Sequence, residues 1–124
     1  MIEIGERTSI GESVVLHCDP SYPLTISHDV RVEALCVLHG CAIGNGTTIG
    51  TQTVILNGAR IGNGCTVAAG SVITENKEFA DGSVIAGAPA KLIQKEDVDA
   101  TLAHARDKAA KLADIRRSAA RNRQ

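Results

Sequence analysis

A branched aliphatic residue returns every six positions through the middle of this chain. Ile43, Ile49, Ile55, Ile61, Val67 and Ile73 keep that interval without a slip. A small residue follows four places behind each of the first five, at Thr47, Thr53, Ala59, Cys65 and Ser71, and Gly44, Gly50 and Gly62 follow their aliphatics directly. Half-buried strands alternate with a period of two, and that period does not set small residues in phase with aliphatics. A strict period of six winds the backbone into a parallel β-helix. Each block is one short strand plus a tight turn, and three blocks close a triangular coil of roughly 18 residues. The aliphatic side chain points inside and stacks on its copy one coil away, the small residue fills the cramped inner corner, and glycine relieves the turn. Successive coils then hydrogen-bond as in any parallel sheet.

The rhythm begins at Ile4, Ile10 and Leu16. Asp19-Pro20-Ser21-Tyr22-Pro23 interrupts it, and two prolines among polar residues predict a loop over 18–25 protruding from a corner. The period resumes at Ile26 and Val32. A block one residue short follows, with Val37 rather than Leu38 in phase with Ile43 and the slip beside His39. The polar segment Glu75 to Gly82, carrying Phe79, breaks the repeat, and Pro89 marks the exit from the solenoid. The solenoid is therefore expected over 1–93. In 94–124, Val98, Leu102, Ala105, Ala109 and Leu112 recur at helical spacing, and Arg116, Arg117 and Arg121 suit the negative end of a helix. The expected architecture is an all-β solenoid of triangular coils followed by a C-terminal α-helix, packed on the prism or on a neighbouring subunit.

A chain of 124 residues with a net charge of −1 fits one domain and gives no electrostatic reason to bind nucleic acid or an anionic membrane. One Phe, one Tyr and no Trp suit a core of stacked Ile and Val. No apolar run is long enough to span a bilayer, and Met1-Ile2-Glu3 does not open a signal peptide, so a cytoplasmic location is expected. Cys36, Cys41 and Cys65 fall on the small inward position and read as packed thiols. Cys18 is off that phase, beside His17. The open ends of a β-helix invite association, and closed symmetry predicts a homo-oligomer, a trimer or dimer.

Of the four histidines, His104 falls on the exposed side of the helix and His28 faces a different corner. His17 and His39 lie about one coil apart and are expected to stack at one corner. Two such imidazoles read either as ordinary surface histidines or as half of a zinc site, which for catalysis wants three protein ligands and an open position for water. Zinc lowers the pKa of that water to about 7.

Val37-Leu38-His39-Gly40-Cys41-Ala42-Ile43-Gly44, then Ile55-Leu56-Asn57-Gly58-Ala59 and the ending Gly87-Ala88-Pro89-Ala90-Lys91, resemble the γ-class carbonic anhydrase family, and Val14-Val15-Leu16-His17 is similar to the strand carrying its first metal histidine. The resemblance implies a homotrimer of left-handed β-helices with a C-terminal helix, and zinc or iron held between subunits. By motif, His17 and His39 match the two ligands given by one chain. The third family histidine falls at Ala34, and the family's glutamine before the first histidine falls at Gly11. Its Arg-x-Asp segment belongs to coils before the position of Ile4. Glu33 and Cys18 are the candidate replacement ligands. The resemblance thus implies a γ-carbonic-anhydrase-like trimer with a degenerate metal site and weak or no hydration of carbon dioxide. Two alternatives stand beside it. One is a hexapeptide acyltransferase using acyl-coenzyme A, with His39 or His17 as general base toward a small-molecule acceptor. The other is a non-catalytic assembly module.

Overall fold

The computed structural model describes residues 1–93 and 95–121. The chain forms a left-handed parallel β-helix followed by one α-helix, α1 (Lys95–Arg121). Three walls make the column. The first stacks β1 (Ile2–Ile4), β4 (Leu24–Ile26), β7 (Ala42–Ile43), β10 (Arg60–Ile61) and β13 (Glu78–Phe79). The second stacks β2 (Ser9–Ile10), β5 (Arg31–Val32), β8 (Thr48–Ile49), β11 (Thr66–Val67) and β14 (Val84–Gly87). The third stacks β3 (Val15–Leu16), β6 (Val37–Leu38), β9 (Val54–Ile55) and β12 (Val72–Ile73). The chain then reverses, and β15 (Ala90–Leu92) closes the second wall as an antiparallel edge strand.

Register explains the period. Thr48 pairs with Thr66 and Ile49 with Val67, one full coil on. In each two-residue strand the second side chain enters the column and the first faces out. Ile49, Ile55, Ile73 and Ile85 are fully buried, and each such aliphatic contributes about 2–3 kcal/mol of burial. Thr47 sits among them because its hydroxyl donates to the Gly62 carbonyl at 2.8 Å and accepts the Cys65 N–H at 3.1 Å. A buried hydroxyl so paired escapes the penalty of lost hydration.

Three expectations are corrected. Leu38, not Val37, is the inward residue: it is fully buried and pairs with Leu16 and Ile55. The missing residue lies in the turn after it, at His39-Gly40. The projecting loop is shorter than 18–25, because Leu24 is fully buried and pairs with Ile2. Residues 75–82 do not break the repeat. Glu78–Phe79 pairs with Arg60–Ile61, and Phe79 takes the inward aliphatic place, packed against the core.

The described residues 95–121 belong to a second compact unit. Its helix spans the stretch that the apolar spacing predicts, with His104 exposed. The side chains of Val98 and Leu102, the start of the expected stripe, lie outside the described residues.

Candidate functional site

The corner where the third wall turns into the first carries the two predicted imidazoles. Because Leu16 pairs with Leu38, the residues that follow them stack as well. The His17 N–H donates to the Leu38 carbonyl and the His39 N–H to the Ile55 carbonyl, both at 2.9 Å. The rings lie 5.4 Å apart at 60°. His17 is exposed and His39 half-buried, so both can meet a solute.

The projecting loop folds against this corner. Asp19 and Tyr22 exchange backbone hydrogen bonds of 3.2 and 2.9 Å, closing a tight turn. The turn brings Tyr22 onto Gly40, where a Cβ would collide with the Tyr22 carbonyl and Cβ. Gly40 is thus required by close approach, and it fixes the residue after His39. Beneath the loop lies a cleft of about 290 Å³ between Tyr22, Gly40, Gly58 and Arg60. A larger trough of about 590 Å³ continues along the first wall past Gly44, Arg60, Gly62, Asn63 and Phe79. Arg60 and Ala42 line both. The Arg60 guanidinium is exposed and forms no ion pair with another described residue. An unpaired guanidinium in a trough is a fork for a phosphate or carboxylate.

The other candidate ligands stand apart from the imidazoles. Glu33 follows β5 at a different corner and pairs with Arg31 at 3.1 Å. The Cys18 thiol lies 3.4 Å from the Met1 amino group. Among the described residues, no group of three or more His, Cys, Asp or Glu is placed to hold a metal ion. Gly11 marks no lost ligand support, since a Cβ there would lie 2.6 Å from the Ala34 nitrogen. Burial pushes the Cys41 thiol up to about 12 and raises that of Cys36, which keeps both protonated and unreactive.

His28 faces another corner, as expected, in a role the sequence does not announce. Its Nδ1 accepts the Glu6 N–H at 2.8 Å, and its own N–H donates to Asn45 Oδ1 at 2.9 Å. Asn45 and Asn63 repeat the contact on Asn63 and Asp81, each at 2.8 Å. A ladder of side-chain acceptors runs down this corner, and the accepting Nδ1 places the proton of a neutral His28 on Nε2. Tyr22 on Gly40 and the Arg60 trough are likewise absent from the sequence reading. The signal for the ladder was visible in the polar residues two places after each first-wall aliphatic.

Residues 40–75 match the family model described as bacterial transferase hexapeptide (six repeats). A Bacillus cereus protein of known structure, provisionally named an acetyltransferase, is 32% identical with a TM-score of 0.68, over 77% of this chain and 70% of that one. This chain belongs to the hexapeptide-repeat transferase family. A second hexapeptide transferase family protein, from Anaplasma phagocytophilum, is 30% identical with a TM-score of 0.70, over 88% of this chain and 66% of that one. Protein YrdA of Escherichia coli is 39% identical over 61 residues, which cover 44% of this chain and 33% of that relative. The chain therefore spans about a third of the curated relative it matches. A serine acetyltransferase in complex with CoA, 21% identical with a TM-score of 0.54 over 70% of this chain and 39% of that one, shares the fold alone. No helix among the described residues is long and apolar enough to cross a membrane.

Proposed function

We propose that this hexapeptide-repeat protein is an acyltransferase that moves an acyl group from acyl-coenzyme A to a hydroxyl or amine acceptor, with His39 as general base. The carrying observation is the pair His17 and His39, stacked at 5.4 Å on an accessible corner, in a chain whose family relative is provisionally named an acetyltransferase. The smaller cleft starts at Gly40, the residue after His39, and is lined by the unpaired Arg60, which suits the phosphates of the thioester substrate. His39 takes the proton of the acceptor as its oxygen or nitrogen attacks the thioester carbonyl. The new C–O or C–N bond forms, the C–S bond breaks, and the proton passes to the departing coenzyme A sulfur. A base held beside its acceptor contributes about 10²- to 10⁴-fold.

Calorimetric titration with coenzyme A, followed by mass detection of acylated product across hydroxyl and amine acceptors, tests this reading. Saturable binding with acyl transfer supports it. Absence of both sinks it.

A metal reading in the manner of the γ-class carbonic anhydrases draws on the same pair. Two imidazoles without a third ligand among the described residues do not make a catalytic zinc or iron site, so such a site would draw on a neighbouring copy. Metal analysis of the purified protein separates the two readings: stoichiometric zinc or iron favours the second.

A further inference from the structure

Asn57 holds a ladder place at a corner that offers it no rung. On the ladder, Asn45, Asn63 and Asp81 each stand two places after an inward residue and just before a glycine with a left-handed backbone angle. Each Oδ1 accepts the N–H of the equivalent residue one coil earlier. Asn57 likewise stands two places after Ile55 and just before Gly58, φ +80, but at the corner of His17 and His39. There the preceding coil is one residue short. Leu38 pairs with Ile55, and the Gly40 carbonyl accepts the Gly58 N–H at 2.8 Å, so His39 alone spans what Leu56 and Asn57 span in the next coil. The chain has no residue to supply the N–H that a ladder acceptor takes. Asn57 Oδ1 is accordingly shut off from solvent, with no hydrogen-bond partner among the described residues. A buried acceptor without a donor is costly, and one kept in a folded chain calls for a reason.

Tyr22 lies across this step. A Cβ on Gly40 would collide with the Tyr22 carbonyl, and one on Gly58 would lie 3.4 Å from Tyr22 Cε1. Tyr22 and both glycines line the smaller cleft. The tyrosine is itself exposed, so its ring covers the step from the solvent side.

We infer that the step is the acceptor subsite, that it takes a primary amine, and that Tyr22 is its lid. The inference rests on the acyl-transfer reading for the reaction, and on Asn57 and Tyr22 for the site. Counting hydrogens selects the amine over the alcohol. An alcohol has one O–H hydrogen, and His39 takes it. A primary amine gives one hydrogen to His39 and keeps another, which Asn57 Oδ1 accepts in place of the N–H that the short coil lacks. As the nitrogen attacks the thioester carbonyl, the C–N bond forms and the C–S bond breaks. His39 passes its proton to the departing sulfur, and the amide product keeps the remaining N–H on Asn57. A site built to receive an N–H discriminates against an analogue without one, because its buried acceptor is then left unpaired. The Tyr22 ring leaves Gly58 for the amine to reach Asn57, so binding moves the lid.

Tyr22 is the one tyrosine of a chain without tryptophan, so ultraviolet fluorescence of the full chain reports the lid. The probes are n-butylamine and n-butanol at constant pH. The amine is expected to change Tyr22 emission saturably, with the alcohol at least about tenfold weaker. Asn57→Leu, which removes the acceptor at similar volume, is expected to lose the amine response with unchanged circular dichroism. Asn57→Asp keeps an acceptor and is expected to retain the response. Absence of a saturable amine response, an equal response to the alcohol, or an amine response that survives in Asn57→Leu overturns the inference. Acyl transfer is scored separately on the same two probes. Transfer to the alcohol at an equal or greater kcat/KM overturns the amine subsite and leaves acyl transfer standing. Saturable amine binding without transfer to either probe supports the subsite and counts against acyl transfer.

Discussion

Replacing Leu38 and Val37 by alanine, one at a time, reads the phase of the repeat at its one irregular coil. Leu38 is fully buried between Leu16 and Ile55, whereas Val37 faces outward and is only partly covered. Leu38→Ala removes three carbons from the column, about 2.4 kcal/mol at about 0.8 kcal/mol per buried carbon. The stacked coils above and below cannot collapse sideways into the gap, so a residual cavity adds about 1–2 kcal/mol at about 24 cal/mol per Å³. The expected loss is therefore about 3.5–4.5 kcal/mol, a large part of the about 5–15 kcal/mol that holds a domain. Val37→Ala is expected to lose less than about 1 kcal/mol within a single chain. Urea unfolding followed by circular dichroism measures both, at equal and low protein concentration so that assembly does not enter. If Val37→Ala proves as costly as Leu38→Ala, the inward phase is Val37 and the register described for the third wall is wrong.

Two further outcomes follow from the corners. His28→Asn keeps a side-chain acceptor for the Glu6 N–H and is expected to unfold near the wild-type midpoint, while His28→Ala loses about 0.5–1.5 kcal/mol; equal midpoints for both would remove the ladder's role. Arg7 donates to Asp29 at 2.7 Å, and that hydrogen bond holds the Asp29 carboxyl below its ordinary value. A carboxylate with a lowered folded value stabilises above its unfolded value, 3.8, and loses that contribution as pH falls through the lower folded value. Arg7→Gln is therefore expected to flatten the acid limb of stability against pH below 3.8, leaving the neutral region's slope unchanged; an unchanged acid limb would show the pair to be screened out by solvent.

The column itself was legible because its cause is local. Six-residue spacing, small inner residues and turn glycines each report one strand-and-turn unit, and the units repeat often enough to fix the coil. The phase at Leu38 was not legible, since deleting a residue from a turn leaves the sequence equally consistent with a slip before or after it. Only burial of Leu38 decides. Phe79 misled for a related reason: an aromatic ring replaces the expected aliphatic side chain at the inward place, where it is partly buried against the core. For the site, the stacking of His17 over His39 followed from coil length alone. The contact of Tyr22 with Gly40 did not, because it depends on how the projecting loop folds back. The trough around Arg60 did not either, because its floor comes from residues 17 to 18 positions apart whose outward placement the inward pattern does not announce.

The most direct measurement is the steady-state rate of acyl transfer by His39→Ala beside wild type, with coenzyme A affinity measured on the same samples. Loss of about 10²- to 10⁴-fold in kcat, at unchanged affinity, is the result expected when His39 is the base beside a trough that binds the thioester on its own. An undiminished rate in His39→Ala, with the acceptor saturating, would contradict acyl transfer at the imidazole corner.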